Sequence, residues 1–250
     1  MPPALQTTTR DSSFASTRWT VVHQAADSQT ASQHALGALT ELCQIYWRPV
    51  YVFLRRQGVA QHDAQDLTQG FFADLIESRA YTRADPTKGR FRSFLLGTLK
   101  HFVAHARDRD RAQKRGGGTV AVELDKVAIS EAETYASRCG DRSADGIFER
   151  EWAVSLARQT LDRLAQECEL AGKGALFEAL KSRLTAGEAA DIPYEELANR
   201  LGRTAGHLRV EVTRLRARYR AILREEVSGT VVDPRDIDEE LRYLRQAMVA

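Results

Sequence analysis

The chain has 250 residues, 43% hydrophobic and 28% charged. These proportions suit a folded protein of one large or two small domains and exclude a collagenous or wholly disordered polymer. The formal charge of +2 conceals a segregation: Asp85 to Gly118 carries nine Lys and Arg against three Asp, and Arg203 to Arg224 carries seven Arg against Glu211 alone. Each window holds +6, so the remaining residues hold −10 of the +2 total. Two basic patches on an otherwise acidic chain are the footprint of two contacts with a polyanion, although solvated helix faces are the plainer source of such runs. The longest uncharged stretch, Ser28 to Thr40, has thirteen residues, short of the roughly 18 apolar residues a spanning helix needs. The N-terminus lacks the basic and apolar segments of a secretory signal. Cys43, Cys139 and Cys168 have neither disulfide nor zinc spacing. A cytoplasmic protein with no membrane span, metal or cofactor is expected.

Helical periodicity predominates, and the expected class is all-α. The pattern predicts a helix over Thr17 to Ala26 and a longer one over Ser32 to Gln57, where Leu36, Leu39, Cys43, Tyr46, Val50 and Phe53 recur at three and four. Pro49 should break or kink the longer helix, because its ring clashes with the preceding turn. Gly58 should close it. The next helix, Gln61 to Glu77, opens with Asp63 as its N-cap. It turns Ala64, Leu67, Phe71 and Leu75 to the core and Asp66, Gln69, Ala73 and Glu77 outward with Phe72 beside them, an acidic surface fit to receive a basic partner. Arg79 to Arg90 contains Asp85-Pro86 and Lys88-Gly89, turn chemistry that predicts an exposed loop.

From Phe91 a helix is expected to about Lys114, with Leu95, Leu99, Phe102 and Ala106 as its buried stripe. Phe94, Thr98, His101, His105 and Asp108 lie on the other side, beside Arg107, Arg109 and Arg111. An aromatic heading a polar, basic row suits single-stranded DNA, which is held by base stacking and backbone charge. His101 and His105 stand one turn apart, but zinc would need further ligands. Gly116-Gly117-Gly118 ends the helix, and the polar stretch from there to about Asp145 reads as a flexible linker. Within it only Thr119 to Leu124 alternates like a short strand.

The second half predicts helices over Ile147 to Leu170, Gly174 to Leu184, Tyr194 to Leu201, Ala205 to Glu226 and Asp236 to Met248. Tyr194 to Leu208 has helix-turn-helix spacing, with Ala198 fifth where two helices cross, Gly202 ninth in the tight turn and Leu208 fifteenth, although any αα-hairpin can show it. The following helix decides more. Leu208, Val212, Leu215, Tyr219 and Ile222 stack on one face, while Gly206, Val210, Thr213, Arg214 and Ala217 point the opposite way. Arg209, Arg216 and Arg220 line one flank and Arg218 the other. Small residues would enter a major groove and the flanking guanidiniums would meet phosphates, with Arg214 reaching a base edge.

Together these residues resemble a bacterial extracytoplasmic-function (ECF) sigma factor, a two-domain promoter-specificity subunit of RNA polymerase. Tyr46-Trp-Arg-Pro-Val-Tyr-Val-Phe-Leu54 and Asp63-Ala-Gln-Asp-Leu-Thr-Gln-Gly-Phe-Phe72 resemble the family's regions 2.1 and 2.2. Phe91-Arg-Ser-Phe-Leu95 with the basic helix resembles region 2.4, and Tyr194 to Leu223 resembles region 4.2. The resemblance implies an N-terminal arm over residues 1–30, a region 2-like bundle over 31–115, a flexible linker over 116–146, a region 4-like helix-turn-helix domain over 147–227 and a helical tail over 228–250.

It also implies a role for each part. Asp66, Gln69 and Phe72 would dock on the β′ clamp helices of core RNA polymerase. Arg83, Lys88, Arg90, Phe94, Thr98, His101, Arg107 and Arg109 would hold the −10 element. Thr204, Gly206, His207, Arg209, Val210, Arg214, Arg216 and Arg218 would meet the −35 duplex. The β flap of the polymerase and an anti-sigma factor are further partners it allows. No nucleophile with a base and no glycine-rich phosphate loop occurs, so no enzyme is expected; promoter melting can run on binding free energy that captures unstacked bases. The alternative is a helix-turn-helix regulator with an N-terminal helical sensor or dimerisation domain, which would bind duplex without polymerase. A helical adaptor with no DNA contact is the other rival.

Overall fold

The computed structural model describes residues 33–83, 90–112, 126–138, 142–185, 192–231 and 233–249, and no strand occurs among them. The fold is all-α. Helix α1, Gln33–Arg56, runs through Pro49 without ending there. A proline inside a helix costs about 3 kcal/mol, and tertiary burial outweighs that here: Val50, Tyr51, Val52, Phe53 and Leu54 are all in the core. A helix segment apolar on every side belongs at the centre of a bundle, and α1 packs against α2 (Gln61–Glu77), α4 (Lys126–Arg138) and α5 (Ala144–Leu170). The N-cap of α2 is Ala60 rather than Asp63, which sits in the first turn where its charge favours the helix dipole. Helix α3 is Phe91–Ala112.

In the second half α6 (Gly174–Leu180) and α7 (Ser182–Thr185) replace one expected helix, followed by α8 (Tyr194–Leu201), α9 (Ala205–Ser228) and, after a 3₁₀ turn at Pro234–Asp236, α10 (Ile237–Val249). The helix expected over Thr17 to Ala26 and the strand-like Thr119 to Leu124 lie outside the described residues.

Two hydrophobic cores result. The first gathers Tyr46, Phe53, Phe71, Leu99, Phe148 and Trp152 with Val227, Ile237 and Leu244. The second joins Leu164, Cys168, Phe177, Leu197, Leu208, Val212 and Ile222. Helices α5 and α9 cross from one to the other, since Ile147 to Leu156 and Val227 belong to the first core while Leu164, Cys168 and Leu208 to Ile222 belong to the second. This corrects the expected organisation in three places. A boundary at residue 147 falls inside α5, whose cap Ser143 accepts from Gly146 N at 3.1 Å. The stretch expected as linker contains α4. The segment expected as a tail supplies part of the first core.

Ion pairs explain why α4 and α10 are where they are. On α4, Glu133 accepts from Tyr51 Oη and Arg55 Nε, both at 2.5 Å, and Glu131 pairs with Arg158 at 2.7 Å and Arg48 at 3.3 Å. Arg48 is itself buried against Glu151. On α10, Glu240 pairs with Arg92 and, at 2.6 Å, with Arg90; Arg90 also reaches Glu239 at 3.1 Å. The Arg92 guanidinium lies 4.2 Å from the Tyr243 ring centroid and 4.7 Å from that of Trp152, the cation–π geometry that accommodates a buried arginine.

Several of these carboxylates are tuned by their partners. The Arg158 hydrogen bond holds Glu131 below the ordinary value of 4.5, and the Arg218 hydrogen bonds do the same for Glu167. Burial raises Glu149 in spite of Arg92. A folded-state value below the unfolded one means that the folded state binds fewer protons, so the stability from Glu131 and Glu167 is present above 4.5 and is lost as pH falls through their folded values. The urea midpoint is therefore expected to decline as pH falls below 4.5, and Glu167→Gln is expected to make that decline shallower. Equal pH slopes for the two proteins would remove Glu167 from the account.

Candidate nucleic-acid interface

Helices α8 and α9 are joined by the turn the spacing anticipates. Gly202 caps α8 in the left-handed region at φ +60°, and Arg203 N donates back to Ala198 O at 3.0 Å. Thr204 caps α9, its hydroxyl accepting from His207 N at 3.2 Å. Ala198, Leu208 and Val212 are buried at the crossing. A Cβ at Gly202 would meet no atom within 4 Å, so only backbone strain opposes a side chain there. Gly202→Ala is expected to cost about 1 kcal/mol, read as a lowered urea midpoint at unchanged slope.

The outward ridge of α9 carries Gly206, Val210, Thr213, Arg214 and Ala217, all exposed, with Val210 at 49%. Thr204 is exposed as well. The flanks differ from expectation. Arg216 donates to the Arg183 carbonyl at 2.7 Å, and Arg218 grips both Glu167 oxygens at 2.7 Å. These two arginines, expected as phosphate contacts, brace α9 from opposite flanks, Arg216 against α7 and Arg218 against α5. Arg209 is exposed but pairs with Glu195 at 2.9 Å and lies 5.0 Å from the Tyr194 ring centroid, tying α9 to α8. Arg203 and Arg220 are exposed and form no ion pair with any described residue. Glu211 is buried, bonded to Arg214 at 2.8 Å and 3.8 Å from Lys173.

In the first half, Asp66 is exposed beside His62, 3.2 Å away, and Gln69 is half-buried. Asp63, Asp74 and Glu77 are exposed on the same helix. Phe72 is not part of this surface: it is 1% exposed, packed edge-on to Phe71, and Ala73 is buried too. Helix α2 is covered over more of its circumference than one stripe, which moves both residues inside.

On α3, Leu95, Leu99 and Ala106 are buried and His101 and His105 exposed, as the wheel requires. Phe94 and Thr98 are half-buried, the ring 6.0 Å from Phe91 and the hydroxyl donating to Phe94 O at 3.0 Å. Arg83 is exposed on the 3₁₀ turn Ala80–Arg83. Arg90, expected to meet DNA, pairs with the carboxylates of Glu239 and Glu240 on α10. Lys88 and the side chains of Arg107 and Arg109 lie outside the described residues.

Lys173, after α5, and Arg203, in the turn before α9, line one groove with His207. Only the packing of three segments brings them together. No group of three or more His, Cys, Asp or Glu placed to hold a metal occurs among the described residues, and no helix among them is long and apolar enough to cross a membrane. No family model matches the chain, and neither a curated protein nor a solved structure matches it.

Proposed function

We propose that the chain is a promoter-specificity subunit of the ECF sigma type, which binds core RNA polymerase through α2, reads −35 duplex with α9 and holds opened −10 DNA along α3. The observation that carries this reading is the exposed ridge of α9. A capped helix that presents Gly206, Val210, Thr213, Arg214 and Ala217 to solvent is slim enough for a major groove about 12 Å wide. Val210 offers an apolar contact for a thymine methyl, and Arg214, held by Glu211, can address the acceptors of a guanine. The acidic exposed face of α2 and the Phe94, Thr98 and His101 row of α3 support the other two roles.

The two jobs on α9 separate by experiment. Arg214→Ala is expected to relax preference at one −35 position by about 1–3 kcal/mol while changing binding to unrelated duplex little. Arg220→Ala is expected to weaken all sequences alike and to lower the log–log salt slope by about 0.9. Uniform loss from both variants would mean that Arg214 reads no base. The function as a whole is tested by run-off transcription from a promoter library with purified core enzyme. Transcripts sharing an upstream motif are the expected result. Tight binding to a duplex without core enzyme, and no transcription with it, would favour the helix-turn-helix regulator.

A further inference from the structure

A groove of about 340 Å³ opens beside the recognition helix, where the α5–α6 turn, the α8–α9 turn and the start of α9 meet. Lys173, Arg203 and His207 stand around it, Leu176 and Leu201 supply apolar wall, and Glu211 closes the base. Glu211 does not make the groove anionic, because Arg214 already pairs with it at 2.8 Å. The Lys173 ammonium, 54% exposed, is 3.8 Å from the same carboxylate, at the limit of an ion pair, and Arg203 forms none with the described residues. A cleft with one net sign of charge and low-dielectric walls focuses its field on an incoming counter-ion.

The position matters as much as the charge. At 100° per residue His207 and Glu211 fall on one flank of α9, and Arg209 and Arg220 on the other. A helix lodged in a major groove has a phosphate backbone on each side. Arg209 and Arg220 serve one of them. On the other side Arg218 is bound to Glu167, and the groove brings cations from outside the helix to that wall.

We infer that this groove seats the second backbone of duplex DNA, Lys173 and Arg203 each meeting a phosphate and His207 donating a hydrogen bond, with Glu211 positioning Lys173. The inference rests on α9 being the recognition helix, and the experiment separates the two. The full-length chain is titrated against a fluorescein-labelled, random-sequence duplex of about 30 base pairs by anisotropy over a salt series. Lys173→Gln and Arg203→Gln are each expected to lower the log–log slope by about 0.9, and the double variant by about twice that. Lys181→Gln removes an equal charge outside the groove and is expected to leave the slope unchanged. All three side chains are exposed, so thermal unfolding should not move. If Arg220→Ala lowers the slope while Lys173→Gln and Arg203→Gln do not, the groove is refuted and the recognition helix stands. If Lys181→Gln matches the groove variants, net charge accounts for the effect and the groove is again refuted. If the wild-type chain binds no duplex, both readings fall together.

Discussion

Glu240→Ala is expected to remove about 3–5 kcal/mol of folding stability, the cost of taking one partner out of a buried ion pair. Glu240 is 1% exposed and faces Arg92, which is 4% exposed between two aromatic rings, and Arg90. Without the carboxylate, Glu149, at 2.7 Å, is the counter-charge left to Arg92 among the described residues. The loss should therefore lie toward the lower end of that range. Total stability is about 5–15 kcal/mol for a typical domain, so the variant should be close to the threshold of folding. Glu240→Gln keeps the shape and an acceptor but not the charge, and is expected to fall between the variant and the wild type. Urea unfolding followed by circular dichroism measures all three. An unchanged midpoint for Glu240→Ala would show that α10 is held by its apolar contacts alone.

Asp66→Arg should have the second large effect, on association rather than on folding. Asp66 is 67% exposed and, among the described residues, its one ion pair is with His62, so reversing its charge leaves the bundle intact and the melting temperature unmoved. At the proposed interface with core polymerase its carboxylate would meet a cation of the partner and lose part of its water. Breaking such a pair costs about 2–5 kcal/mol, and installing a like charge adds repulsion. Affinity for core enzyme is expected to drop by at least about 30-fold, since 1.4 kcal/mol is a factor of ten. Equal affinity of wild type and variant in a titration against labelled core enzyme would remove α2 from the interface. Phe72 is no probe of that surface, because truncating a side chain so deeply buried tests the core instead.

Much of this molecule was legible in its residues one helix at a time. The all-α class, the extents of α2, α3, α8 and α9, the left-handed turn at Gly202 and the exposed ridge from Gly206 to Ala217 all follow from local spacing. A 3.6-residue period states which side of a helix is apolar, and a glycine between two such patterns states where the chain turns. Nothing longer in range is needed.

What the tertiary structure decided is which charged side chains have partners on other helices. Arg92 and Glu240 meet across 148 residues of chain, Arg218 reaches Glu167 across 51, and Tyr51 finds Glu133 across 82. An arginine bound to a carboxylate from another helix and one free to meet a phosphate look alike in sequence, since the difference lies wholly in the neighbour. For that reason Arg90, Arg216 and Arg218, expected as DNA contacts, turn out to have partners within the chain, while Lys173, which no pattern singled out, lines a groove with Arg203, the first residue of the second basic window. Helix α4 was hidden by the same cause: Ile129 and Ala132 reach the first core, and Glu131 and Glu133 meet arginines of other helices, contacts that its short pattern does not reveal. Local chemistry determined the helices; the pairing of charges between them, which only packing can set, determined what each surface has left to offer.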